Sequence, residues 1–234
     1  GWIALAGIIV LGPRLGRWDS EGRSRPIPIS NFPFMALGSW MLCVGWFGFN
    51  VMSAATLKGI SGLVAINSLF AMAGGIISSL LISKNDPGFI HNGALAGLVA
   101  ICAGSDQVHP IGALVIGAVS GVIFVKGFIW EQEKLKIDDV LGVWPLHGLA
   151  GTWGGIACGI FGQESLGGLG EVSLKAQMVG SLIAVGLALF FGFTVYKILD
   201  ATIGIRLTKE AEQRGSDLTL HKIEAYPEDA SSRF

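Results

Sequence analysis

Long apolar runs constrain the fold of this sequence more than any other feature. A run of about 18 or more apolar residues can cross the hydrocarbon core of a bilayer. Only 14% of the 234 residues are charged, whereas a soluble domain carries about 25%. We therefore predict an all-α, polytopic transmembrane helix bundle over 1–200 and a polar tail over 201–234. The predicted spans are 33–53, 61–83, 89–105, 110–130, 140–162 and 174–200.

The first segment, GWIALAGIIVLG at 1–12, is too short to span a bilayer alone. It has no initiator methionine and no basic residue ahead of its apolar run, so it does not resemble a signal peptide. We expect it to be the second half of a helix, and the chain to be a piece of a longer protein. The three cysteines lack paired spacing, which indicates packing rather than a disulfide or metal site.

Basic residues alternate between the connections of the predicted spans. One set of alternate connections, with the tail, carries 14 Lys and Arg residues, and the other set carries 2, Lys58 and Lys175. Cytoplasmic loops of membrane proteins are enriched in Lys and Arg. We therefore expect a multi-pass protein of the plasma or inner membrane with a cytoplasmic C-terminus. The connections 54–60 and 163–173 are expected to be external.

Glycine recurs at helical spacing along the predicted spans. The chain has 35 glycines, about twice the usual share. Small residues allow membrane helices to approach closely, because lipid provides no hydrophobic force between them. We expect close packing at Gly93 and Gly97, at Gly117 and Gly121, and at Gly148, Gly151, Gly155 and Gly159.

His147 is the most informative ionisable residue, because it lies inside an apolar span, GVWPLHGLAGTWGG at 142–155. Such a group usually faces the bundle interior or a cavity and indicates function. If the helix begins at Asp138 or Asp139, His147 lies about 13 Å inside the membrane. The alternative is a hydrogen-bonded histidine at a helix end. On the predicted helix, Gly151, Gly154 and Cys158 share a face with His147.

The segment WFGFN at 46–50 ends an aromatic span with polar groups. Aromatic residues near the end of a membrane span often form a belt at the membrane–water interface. The functional alternative is a vestibule, in which Trp46 and neighbouring rings attract a small cation. Asn50 and Ser53 would then be the polar groups of that vestibule, and Ser53 would accept a hydrogen bond from the cation. The remaining histidines are expected to be solvated or interfacial: His91, His109 and His221.

With these segments, the chain resembles the Amt/Mep/Rh ammonium transporters. The resemblance covers nearly the whole length and is carried by WFGFN with Ser53, and by NGALAGLVAICAG at 92–104. It is also carried by IDDVLGVWPLHGLAGTWGG at 137–155 and by the tail at 207–226. It implies an eleven-helix bundle of two inverted five-helix halves plus a last helix, assembled as a homotrimer with one pore per subunit. The chain would correspond to the end of helix five through helix eleven and the tail.

The resemblance also implies roles for particular residues. His147 matches the second histidine of a twin-histidine pair in the pore. Phe49 matches one of two stacked phenylalanines that gate the pore, and Ser53 matches the serine of an outer ammonium site. Asp138 and Asp139 match an acidic pair at the cytoplasmic start of helix ten. The first histidine, the second phenylalanine and a site tryptophan belong to the half that this sequence does not contain.

Three positions depart from the family pattern. The family often has aspartate where this chain has Gly142, and glycine where it has Pro145. The tail reads RGSD and HKIEAY where the family more often has EGLD and HGE. The first two departures affect local helix geometry, and the third affects regulation through the tail. A PII-type regulatory protein at the cytoplasmic face is the partner that the resemblance implies there.

The implied activity is ammonium transport without a cofactor and without a nucleic-acid partner. Carrying intact ammonium through an apolar pore would remove its hydration at a large cost in free energy. Deprotonation lets ammonia cross, and imidazole groups suit proton transfer because they titrate near neutral pH. We expect the present half to insert among membrane lipids, but neither to form a stable trimer nor to conduct ammonium alone.

Two other functions remain open at this stage. One is an ammonium sensor that uses the same fold as a receptor, and the other is a non-conducting structural subunit of a membrane complex. An enzyme is not expected, because the sequence has no phosphate-binding glycine motif and no nucleophile with a nearby base. An aquaporin-type pore is disfavoured because no Asn-Pro-Ala repeat occurs.

Overall fold

The computed structural model describes residues 1–25, 27–54 and 59–223. The elements there are helical, apart from one isolated bridge between Trp18 and Ser24. Lys58 and the end of the predicted tail, 224–234, lie outside the described residues. The principal helices are α1 (Trp2–Leu11), α2 (Phe32–Ser53), α3 (Ser61–Ile82), α4 (Pro87–Ile101), α5 (Pro110–Trp130), α6 (Ala150–Phe161), α7 (Leu174–Thr202) and α8 (Lys209–Arg214).

Short helical turns complete the described part of the chain. A first π-helical turn, Glu131–Leu135, extends α5, and a second, Trp144–Leu149, leads directly into α6. A 3₁₀ turn, Glu164–Leu166, lies between α6 and α7. A last π-helical turn, Asp217–His221, follows α8.

Four helices in the described part of the chain are long and apolar enough to cross a membrane: α2, α3, α5 with its π-helical turn, and α7. They agree with four of the six predicted spans. The predicted span 89–105 forms only the 15-residue helix α4. The predicted span 140–162 consists of the second π-helical turn and the 12-residue helix α6.

The sequence sets several helix starts through capping side chains. Asn31 Oδ1 accepts a hydrogen bond from the Phe34 backbone N–H at 2.9 Å, and Asp86 Oδ1 accepts one from Phe89 N–H at 3.1 Å. A proline occupies the first or second position of α2, α4 and α5. Both features favour a helix start, because the first backbone N–H groups of a helix lack partners within it.

Helix α3 packs closely against both α4 and α5, which also contact each other. The close approach depends on glycine: a Cβ added at Gly97 of α4 or at Gly117 of α5 would overlap the backbone carbonyl of Ala71 in α3. A Cβ at Gly75 would likewise overlap the carbonyl of Gly93. The expected close packing at Gly93, Gly97 and Gly117 is thus confirmed. This packing forms the scaffold that fixes α4 beside α2 and α6.

The outer helices expose apolar surface. In α7 only Gly192 is buried, against Ile3 and Ala6 of α1. The other large side chains of α7, such as Leu182 and Phe190, are mostly exposed. An apolar helix of 29 residues that is exposed along nearly its whole length suits a lipid environment rather than water.

Candidate pore site

His147 lies in the second π-helical turn and is half-buried. Its imidazole stacks on the indole of Trp46 in α2, with the ring centroids 6.1 Å apart and the planes 16° from parallel. Helix α1 approaches the same turn, because the backbone of Gly1 lies against Gly148. Trp2 meets Trp144 edge-on, with centroids 5.5 Å apart. The histidine therefore has predominantly aromatic and apolar neighbours.

Phe49 and Ser53 continue the line from His147 along α2. The Phe49 ring meets Trp46 at 68°, with centroids 6.4 Å apart, and it is 60% exposed. Ser53 is exposed in the last turn of α2, and its hydroxyl donates to the Phe49 carbonyl oxygen at 2.7 Å. Because the hydroxyl proton is used in the helix, the lone pairs of the Ser53 oxygen can accept a hydrogen bond from a cation.

Asn50 faces the bundle rather than the exposed side of α2. It is 3% exposed, and its Nδ2 donates to Ser68 Oγ of α3 at 2.9 Å. The thiol of Cys102 donates to Asn50 Oδ1 at 3.3 Å. The same thiol sulfur accepts from Trp46 Nε1 at 3.1 Å. Asn50 thus supports Trp46 from behind.

Asp139 fixes where the histidine-bearing helix begins. Its Oδ2 accepts a hydrogen bond from the Trp144 backbone N–H at 2.7 Å, and its carbonyl oxygen accepts from Gln132 Nε2 at 2.7 Å. The helical conformation therefore starts at Trp144 and not at Asp138 or Asp139. The premise that the helix begins at Asp138 or Asp139 is therefore wrong, and the depth of about 13 Å that depended on it no longer follows. His147 lies in the first turn, about 5 Å along the axis from Trp144.

Asp138 faces the connection between α1 and α2. Its carboxylate accepts from Arg14 Nε at 2.8 Å and Nη2 at 2.9 Å, and from Arg17 Nε at 3.2 Å. Burial opposes ionisation of Asp138, but the hydrogen bonds and charge of Arg14 outweigh it and lower the pKa of this carboxyl. The hydrogen bond to Asp138 in turn raises the pKa of Arg14.

A buried polar network joins the two aspartates. Arg17, which is 7% exposed, donates from Nη2 to Gln132 Oε1 at 2.6 Å, and Gln132 bonds to the Asp139 carbonyl. The network connects the Arg14–Arg17 segment, the end of α5 and the start of the second π-helical turn. Its chemical role is to hold these elements together, because buried charges require partners.

The structure brings four of the predicted residues into one line: His147, Trp46, Phe49 and Ser53. The acidic pair lies apart from this line, and Asn50 lies behind it. The sequence did not predict the hydrogen bond of Cys102 to Trp46, because this cysteine was assigned to packing. It did not predict the ion pairs of Arg14 and Arg17 with Asp138 either, because these residues were counted only as basic charges that indicate membrane orientation. The spacing of Cys102 carries no signal for a bond to Trp46, which is 56 residues away.

The face of the helix that was expected to carry Gly151, Gly154 and Cys158 beside His147 is partly covered by α4. A Cβ added at Gly154 would overlap the backbone of Ala100, whereas one at Gly151 would meet only Val99, at 3.7 Å. Cys158 is buried, and its side chain lies beside Gly104. Gly154 thus serves close packing, and open space remains only near Gly151.

Comparison with known proteins assigns the chain to a family. Residues 1–226 match the model of the Ammonium Transporter Family. The chain belongs to this family. Ammonium transporter Amt2 of Methanocaldococcus jannaschii is 44% identical over 230 residues, which is 98% of this chain and 54% of that protein. The chain thus spans about half the length of this curated relative. Because its relatives are named as transporters, the expectation of a non-enzyme agrees with the family assignment.

Solved structures agree with the assignment. A sensor Amt protein superposes with a TM-score of 0.87 at 32% identity, over 94% of this chain and 56% of that one. The Rh50 protein of Nitrosomonas europaea superposes with a TM-score of 0.73 at 28% identity, over 99% of this chain and 59% of that one. The transmembrane fold class predicted from the sequence is confirmed. The chain therefore belongs to a multi-pass membrane protein.

Proposed function

We propose that this chain forms part of a pathway that transports ammonium or ammonia across a membrane. The observation that carries the proposal is the line from exposed Ser53, past Phe49 and Trp46, to the imidazole of His147. Family membership supports the substrate, because the similar proteins are named ammonium transporters. The line combines an exposed polar end with an aromatic interior, as a pathway for a small cation requires.

Each residue of the line has a role that follows from its chemistry. The Ser53 oxygen accepts a hydrogen bond from ammonium at the outer end. The faces of Trp46 and Phe49 attract the cation, which contributes about 0.5–2 kcal/mol. The cation must then lose its proton, because an unpaired charge in apolar surroundings is strongly disfavoured. His147, as one member of a histidine pair, accepts that proton and passes it on, or hydrogen-bonds the ammonia. The proton must cross separately from the ammonia for the transport to carry a net current.

The wider arrangement belongs to the same proposal. The Ser53 end is external and the tail is cytoplasmic, since the basic residues favour that orientation. The full-length protein is a homotrimer in the plasma or inner membrane, with one pore per subunit. Its cytoplasmic face binds a PII-type regulatory protein, and Asp138 and Asp139 stabilise that end of the structure.

A second candidate is an ammonium sensor with the same site. The similarity to the sensor Amt protein supports it. A sensor binds ammonium at the Ser53 end without passing it on, whereas a transporter moves it. Net flux across a sealed membrane therefore separates a transporter from both the sensor and a non-conducting structural subunit.

The test is ammonium-driven current in liposomes that contain the full-length protein. We expect His147→Ala to reduce the current by about tenfold or more, because general acid–base groups typically contribute 10²–10⁴-fold. His91→Ala is the matched control, since His91 lies at the start of α4 and meets Phe32 edge-on. Unchanged current and selectivity in His147→Ala would refute a role for this histidine. Absence of flux in the unmodified protein would exclude transport and leave the sensor and the structural subunit.

A further inference from the structure

The orientation of the Trp46 ring depends on a thiol. The indole Nε1–H of Trp46 donates to Cys102 Sγ at 3.1 Å. The same indole ring stacks on the imidazole of His147, with the ring centroids 6.1 Å apart. Cys102 caps the C-terminal end of α4, where the thiol can also donate to the Leu98 carbonyl oxygen at 3.2 Å. The sulfur thus lies between the candidate pore and the bundle core.

The thiol is itself fixed by buried groups. It donates to Asn50 Oδ1 at 3.3 Å, and Asn50 Nδ2 donates to Ser68 Oγ at 2.9 Å. Ser68 is fully buried and donates to the Val64 carbonyl oxygen at 2.8 Å. The bonds therefore run from Trp46 in α2 to Cys102 at the end of α4, return to Asn50 in α2, and from there reach α3, which glycine contacts hold close to α4 and α5. The thiol has one proton, so it donates either to Asn50 Oδ1 or to the Leu98 carbonyl oxygen, and in both cases the sulfur accepts from Trp46 Nε1.

We propose that Cys102, supported by Asn50, is a positioning residue that sets the orientation of Trp46 and, through the stack, that of His147. The inference rests on the proposed function of His147. An indole N–H in apolar surroundings requires an acceptor, because an unpaired buried donor is unfavourable. Without the sulfur, the ring turns toward another acceptor, and a turn away from the 16° alignment separates it from the imidazole.

The first test measures the Trp46–His147 contact without transport. The change in tryptophan fluorescence caused by His147→Ala is measured in the unmodified protein and again in Cys102→Ala. A Trp46→Phe background shows which part of the change belongs to Trp46, since other indoles lie near the same turn. We expect Cys102→Ala to remove most of the Trp46 part and Cys102→Ser to keep it. An equal change in all three cysteine backgrounds would overturn the proposal.

The second test measures ammonium-driven current in liposomes. We expect Cys102→Ala to lower the current by about tenfold, since small misplacements of groups in a site reduce rates strongly. Cys102→Ser, which keeps both a donor and an acceptor, should restore it to within about threefold. Cys158→Ala is the control, because Cys158 is a more deeply buried thiol that belongs to α6 and, within the described residues, does not hydrogen-bond to Trp46. Normal current in Cys102→Ala, or equal losses in Cys102→Ala and Cys102→Ser, would overturn the proposal.

Two further arms keep the result decisive. If Cys102→Ala does not fold, Cys102→Val retains the volume without the polar contacts and is expected to show the same losses. If the unmodified protein carries no current, the proposed transport function fails, and the fluorescence measurement still decides whether Cys102 positions Trp46. The two failures are thus distinguishable.

Discussion

Asp138 is held by two guanidinium groups, and its side chain is only 1% exposed. Removing one partner of a buried ion pair leaves the other charge uncompensated, which typically costs about 3–5 kcal/mol. We predict that Asp138→Asn lowers the free energy of unfolding by a similar amount, because Arg14 and Arg17 then lose the carboxylate. Thermal unfolding in detergent at neutral pH measures the loss. Asp19→Asn is the control, since Asp19 pairs with the exposed Arg23.

The same carboxylate gives a pH dependence with a defined sign. The pKa of Asp138 is lowered in the folded protein, so its contribution to stability is complete above the ordinary carboxyl pKa of about 3.9. The contribution is lost as the pH falls below that value and through the lowered pKa. The unmodified protein should therefore lose its advantage over Asp138→Asn as the pH falls below about 4. A difference that stays constant from pH 7 to pH 3 would contradict this assignment.

At the residue scale, the sequence predicted which side chains matter better than it predicted their partners. His147 stands out because titratable groups are rare in apolar segments, and Asp138 and Asp139 stand out because they match an acidic pair of the family. The partner of Asp138, Arg14, lies 124 residues away, and only the fold brings them together. Cys102 was missed for a similar reason: a thiol in an apolar run is consistent with packing, and its bonds to Trp46 and Asn50 depend on how α2 and α4 meet.

At the scale of elements, apolar run length predicted the long helices well. It failed at the start of the histidine-bearing helix, because the Asp139 carboxylate holds the Trp144 N–H and delays the helix. Pro145 has no N–H to donate within the π-helical turn. Capping and proline chemistry, rather than hydropathy, set this boundary.

Glycine contacts give a prediction at the same scale. Gly117→Ala should lower the free energy of unfolding by about 1–3 kcal/mol, the usual cost of overpacking. The added methyl group would overlap the carbonyl of Ala71, and that backbone can move only with α3. Gly186→Ala is the matched control, because a methyl group on this exposed face of α7 meets nothing within 4 Å. Equal thermal stability of the two variants in detergent would show that α3 and α5 are not in close contact.

At the scale of the whole molecule, the described chain is an asymmetric part of a bundle. The network of α3, α4 and α5 is closely packed, whereas α2 has only three buried residues, Ser39, Cys43 and Asn50. The exposed side of α2 carries Phe49 and Ser53, so one side of the proposed pathway is open in this chain. The chain spans about half of its curated relatives. The sequence could therefore predict the residues of one pore wall, but not the geometry of the wall opposite.

The distribution of basic residues over the whole chain predicts its orientation in the membrane. The alternation of 14 basic residues against 2 predicts that the tail is cytoplasmic and that the connection after α6 is external. Ser216 and Ser165 are both exposed and lie on these two sides. Ser216→Cys and Ser165→Cys should therefore react with an impermeant thiol reagent from opposite sides of sealed vesicles.

The controls for this labelling are built into the chain. Cys43 and Cys158 are buried and Cys102 is partly buried, so the unmodified protein reports the background reaction from each side. Permeabilised vesicles should label both variants, which shows that neither introduced thiol is hidden by the fold. Labelling of both from the same side of intact vesicles would overturn the orientation. It would also remove the argument for Ser53 as an outer site. Ser53 is the last residue of α2, next to the connection 54–60, which is predicted to be external like the connection that contains Ser165.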